Sequence, residues 1–95
     1  MDTAQFTEAL TRDGFAEIST RSQAPLLHNG AHSHPFDVRA LMIAGELTLS
    51  HDSKTQVCRA GDVFTMAAGC MHEERYGPEG ATYVAGRRQI KGNTE

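Results

Sequence analysis

The sequence predicts an all-β domain, a barrel or sandwich of short strands preceded by one short helix. Three observations carry that reading. From Phe15 to Arg87 the chain divides into short segments rich in apolar and β-branched residues, each closed by turn residues. No helical stretch of about 10 to 15 residues lies between those segments, which excludes the crossovers a parallel sheet needs. A helical pattern is confined to the start of the chain.

The bulk numbers agree. At 95 residues there is room for one core. Apolar residues are 39% of the chain and mean hydropathy is -0.43, the balance of a globular chain. No apolar run approaches the roughly 20 residues that span a bilayer. The acidic start, Met1-Asp2-Thr3-Ala4-Gln5-Phe6, lacks a basic region followed by an apolar one. A cytoplasmic protein without membrane contact is expected. A net charge of -3 and a pI near 5.9 give no electrostatic ground for nucleic acid. Arg87, Arg88 and Lys91 read as solvated charges. Cys58 and Cys70 lack the spacing of a zinc knuckle or redox pair and are expected reduced.

In order, Asp2 to Asp13 reads as a helix, with Phe6, Ala9 and Leu10 on one face. Asp2 and Gln5 have the spacing of a capping box, and Gly14 is placed to end the helix. Strands are expected at 15–21, 26–28, 36–43, 45–51, 55–59, 62–66, 72–76 and 81–87. Asn29-Gly30, Ala44-Gly45, 51–54, Ala60-Gly61, Ala68-Gly69 and 77–80 read as the turns between them. The organisation is therefore a helix over 1–14, a barrel over 15–88 and a polar tail over 89–95.

His32 and His34 begin the next level of the reading. Alternate residues of a strand share a face, so two imidazoles one residue apart can enter one space and form half of a metal site. A second stretch, Gly61 to His72, supplies a third histidine. Three neutral imidazoles with open positions suit Zn, Fe, Ni, Cu or Mn, and ligand type alone does not choose. The plainer alternative is a barrel mouth in which the histidines bond a ligand or one another. Glu74 and Tyr76 share the parity of His72. Glu74 can serve as a cavity acid or base, and Tyr76 can line the cavity. Cys70 reads as a small buried apolar residue, and His28 and His51 as solvated strand ends. Met42, Met66 and Met71 read as core fillers. Phe36, Phe64, Leu41 and Leu47 read as lining or core, and Glu46 as a turn carboxylate.

Together these stretches resemble a small single-domain cupin, the double-stranded β-helix or jelly-roll superfamily. The first cupin motif, two histidines one residue apart and a Gly that ends the strand, is matched by His32, His34 and Gly45. The second is matched by Gly61-Asp62, Ala67-Ala68-Gly69 and His72. The likeness covers roughly 21–87. Two positions depart from it. The motif's glutamate falls at Val38, which cannot ligate, with Asp37 one residue off; Asp37 is a ligand only if a bulge re-aims it, and otherwise pairs with an arginine such as Arg39. The motif's proline is missing from Ala67-Ala68-Gly69.

The resemblance implies a divalent metal (Zn, Fe, Ni or Mn) at His32, His34 and His72, with Asp37 as a further candidate, and a small-molecule ligand. It implies a homodimer, as does the need to hide sheet edges. It also implies small-molecule chemistry such as dioxygenation, isomerisation, epimerisation or decarboxylation, with Tyr76 and Glu74 as the nearest proton donors. The alternative is a non-catalytic binding or sensing module, favoured by the lack of an obvious acid/base pair.

Overall fold

The computed structural model describes residues 2–89. Helix α1, Thr3–Arg12, opens on the expected capping box. The Gln5 amide N–H donates to the Asp2 carboxylate at 2.7 Å, and the Gln5 side chain accepts from the Asp2 N–H at 3.2 Å. Gly14, at φ +87, turns the chain out of the helix.

Six strands follow: β1 (Ala16–Gln23), β2 (His28–His32), β3 (Phe36–His51), β4 (Lys54–Arg59), β5 (Val63–Met66) and β6 (His72–Gln89). Every pairing is antiparallel. The order β1-β6-β3-β4 forms the main path, with β2 also on β6 and β5 also on β3.

The strands are fewer and longer than the sequence suggests, because two expected turns are bulges. Ala44-Gly45 lies within β3, where the pairing with β6 shifts between Met42 and Ala44 and again between Gly45 and Leu47. An inserted residue moves the following side chains to the other face. Val38, Ala40 and Met42 face the core before the bulge, and Leu47 and Leu49 after it. The stretch 77–80 does the same in β6, where His72, Glu74 and Tyr76 are buried before it and Ala81 and Ala85 after it. Asn29-Gly30 also proves not to be a turn: it lies inside β2, with its own register shift. The turn expected at 51–54 is present, with Asp52 and Ser53 both at positive φ joining β3 to β4. Of the expected tail, Gln89 is the last residue of β6, opposite Phe36, and 90–95 lie outside the described residues.

The sheet buries both faces. Inside, Val38, Met42, Leu47, Leu49, Cys58, Phe64 and Tyr76 form one cluster. On the other face Leu41 and Val84 pack with Phe6, Leu10 and Phe15, so the helix covers the sheet. Met42 fills the core as expected, whereas Met71 is 55% exposed and fills nothing. Cys58 and Cys70 are both free, and burial pushes the Cys58 thiol up to about 11. Among the described residues no helix is long and apolar enough to cross a membrane.

Candidate metal centre

Strand pairing assembles the centre. His32, the last residue of β2, lies opposite His72, the first of β6. His34 follows in the β2–β3 connection, where its carbonyl accepts from the Gly69 N–H at 2.8 Å. The three ring centroids lie 4.3 to 5.2 Å apart. Glu74 shares the buried face of His72. One ligand atom from each of His32, His34, His72 and Glu74 lies within 4.8 Å of the others.

The surroundings aim these atoms. His32 Nδ1 is 2.7 Å from the Gly30 carbonyl oxygen and His72 Nδ1 is 3.0 Å from that of Cys70. A carbonyl only accepts, so each Nδ1 carries the proton and donates, leaving the Nε2 lone pair for the shared space. Burial, and then the neighbouring His72 and His32, hold the His34 pKa below its usual 6.5, which keeps that ring neutral; its face rests on Phe36.

Glu74 divides its carboxylate between two tasks. Oε1 accepts from the Asn29 amide and the Tyr76 hydroxyl, both at 3.0 Å. Oε2 lies 3.2 Å from His72 Nε2 and 3.6 Å from His32 Nε2. The 3.2 Å contact forms no hydrogen bond, and His72 Nε2 is a buried nitrogen without a partner among the described residues. An orphaned, fully enclosed acceptor is destabilising by about 1–3 kcal/mol unless something fills it. Three imidazole lone pairs and one carboxylate oxygen converging there fit a divalent cation.

Tyr76 is 4% exposed, and burial, with Tyr83 and Glu74 beside it, raises its pKa, so its hydroxyl remains a donor to Glu74. Asp37 is not brought to the centre. Its carboxylate accepts from the Ala68 N–H at 2.9 Å and from Arg88 at 3.0 Å, and those bonds, Ala68 first, hold its pKa below 3.8. Its register partner is Arg88, not Arg39, which instead reaches Asp13 at 2.7 Å. The Ala68 bond ties Asp37 to the Ala67-Ala68-Gly69 bend before His72, the stretch that lacks the motif's proline.

The sequence marks Glu74 as a cavity acid or base; the structure sets it among the candidate donors, which its parity with His72 signals. Asn29 was hidden inside an apparent turn. A second group, His51, Asp52 and Cys70, sits outside the centre, with His51 Nδ1 3.6 Å from Asp52 and 3.9 Å from Cys70 Sγ. The centre opens on a cavity of about 190 Å³ whose wall includes Phe36, Val38 and Arg87.

The structure is similar to a conserved protein of unknown function from Streptococcus pyogenes, at 23% identity and a TM-score of 0.68 over 79% of this chain and 65% of that one. It is similar to an RmlC-like cupin from Shewanella frigidimarina, at 18% identity and a TM-score of 0.66 over 78% and 66%. It is also similar to a protein of unknown function from Rhizobium leguminosarum, at 19% identity and a TM-score of 0.67 over 86% and 89%. The first two matches show that the chain spans slightly under two thirds of those proteins. No curated protein matches it significantly. These likenesses establish the cupin double-stranded β-helix fold. A family model described as the AraC-like ligand binding domain matches residues 16–85, and the chain belongs to that cupin-type family.

Proposed function

We propose that this chain holds one divalent metal ion on His32, His34, His72 and Glu74 and acts on a small molecule in the cavity above it. The observation that carries the reading is the buried His72 Nε2, unpartnered among the described residues and facing the same space as two other imidazoles and a carboxylate oxygen. A metal there would supply Lewis-acid polarisation of a bound group, or redox chemistry if it is iron. The chain's own residues orient the donors: Gly30 and Cys70 carbonyls fix two tautomers, and Asn29 and Tyr76 hold Glu74. Tyr76, sealed in the core, positions Glu74 and does not meet the small molecule.

Elemental analysis of untagged protein, beside His34→Ala, tests the site. Near-stoichiometric metal, lost in the variant, is expected. A wild type that neither carries metal nor takes up added Zn, Fe, Ni or Mn overturns it.

The family match favours a second reading, a ligand-binding module without turnover. Mass spectrometry of candidate small molecules incubated with the metal-loaded protein separates the two: product supports the enzyme, affinity without product the module. The homodimer belongs to this proposal as well, because β1 and β4 end the main sheet path. A light-scattering mass near 10.3 kDa would refute it.

A further inference from the structure

We propose that the small molecule is an organic acid whose carboxylate is bound by Arg87 while its other end reaches the metal centre. This rests on the metal reading above.

Arg87 and the centre share one cavity. They are linked through Phe36, against whose ring the His34 imidazole stacks at 5.0 Å and the Arg87 guanidinium carbon sits 4.4 Å from the centroid. Those two distances keep the guanidinium within about 9.4 Å of the His34 ring, the reach of a short two-ended molecule.

The guanidinium is placed but not consumed. Arg39 and Arg88 bond carboxylates at 2.7 and 3.0 Å. The ion partner of Arg87 among the described residues is Glu17, at 3.6 Å, which is too long for a hydrogen bond. The Arg87 guanidinium carbon rests over the Phe36 ring, and N–H groups that bond no side chain among the described residues can take a planar anion. Arg21 adds a second positive charge to the cavity, against Glu17 and Glu74. With a divalent ion in place the cavity is net positive, which excludes cations and attracts acids. Val38 and Met66 give a carbon chain an apolar wall. At about 190 Å³ the space is smaller than the roughly 300 Å³ of the smallest drug-sized pockets, so the acid is small.

The test is calorimetric titration of the full chain, first with Zn²⁺, then with succinate or succinamide on the apo and zinc forms. Succinate is expected to bind the zinc form at least tenfold more tightly than its neutral diamide. Arg87→Gln should weaken succinate by about 10- to 100-fold, the range of one charge-assisted bond, and Arg87→Lys should fall between. Glu17→Gln removes the competing carboxylate and should tighten succinate a few-fold, which no loss of folding could imitate. If zinc binds but Arg87→Gln takes succinate as well as wild type, or succinamide matches succinate, the Arg87 assignment is overturned and the metal reading stands. If zinc does not bind while succinate does and Arg87→Gln loses it, the metal reading falls and the anion subsite stands. Binding of neither overturns both.

Discussion

Glu74→Gln should make the apo protein more stable and nearly blind to metal. Glutamine keeps the shape of Glu74, and the Asn29 and Tyr76 donors would retain its carbonyl oxygen, because they need an acceptor. That leaves the amide NH₂ facing His72 Nε2, the buried nitrogen that has no partner among the described residues. Satisfying such an atom recovers part of the about 1–3 kcal/mol that orphaning it costs. A gain of about 1 kcal/mol raises the Tm of a domain this size by about 4–8 °C. Metal reverses the order. At free metal of 100 times Kd, the wild type gains about 2.7 kcal/mol. Losing an anionic ligand should weaken binding at least as much as the about 10- to 100-fold typical of its supporting residues. At the upper figure the variant gains only about 0.4 kcal/mol from the same metal. Thermal unfolding with chelator and then with Zn²⁺ should therefore show crossing Tm values. A variant less stable in chelator would mean that Glu74 already satisfies His72 in the apo protein, and one shifted by zinc as much as wild type would mean that Glu74 is not a ligand.

Asn29→Ala removes one of two donors to Glu74 and should weaken metal binding by about 10- to 100-fold, read by competition with a chromophoric chelator. Gly45→Ala should prevent folding or lower the Tm by tens of degrees: Gly45 sits at φ +80, and an added Cβ would strike the Gly80 carbonyl and lie 2.8 Å from Ala81 Cα, both backbone, seen by circular dichroism. Because the folded pKa of Asp37 is depressed, its contribution is complete above the ordinary 3.8 and is lost as pH falls below it. The stability difference between wild type and Asp37→Asn in urea should thus be flat from pH 7 to about 5 and shrink below about 4, and a difference that grows with acidity would contradict the assignment.

Local signals were legible and long-range ones were not. The capping box at Asp2 and Gln5 needs only three residues of spacing, and the structure forms it. The alternation of His72, Glu74 and Tyr76 needs only strand parity, and all three are buried. Gly45 and Gly80 misled because a glycine at positive φ serves a turn and a bulge equally well; what decides is the close approach of two backbones there, which only the pairing of β3 with β6 creates. The partner of Asp37 was hidden for the same reason. Arg39 is near in sequence, but the antiparallel register sets Arg88 opposite, 51 residues away. Asn29 beside Gly30 carries the dipeptide of a hairpin turn, yet the pairing of β2 with β6 draws it into a strand and gives its amide to Glu74.

The departures from the cupin motifs are one rearrangement rather than separate losses. With Val38 where the glutamate would stand, the wall beside the histidines is apolar, and the carboxylate comes from β6 instead, two residues after His72. A carboxylate entering from that strand needs holding, which Asn29 on β2 and Tyr76 on β6 provide. Asp37, outside the centre, bonds the Ala68 N–H and so braces the bend before His72, where the motif's proline is missing. The donor set keeps three imidazoles and one negative charge, while the cavity wall at 38 exchanges a carboxylate for a methyl surface. That exchange leaves Phe36 and Val38 as an apolar floor between the centre and Arg87, and the two ends of the cavity become chemically distinct.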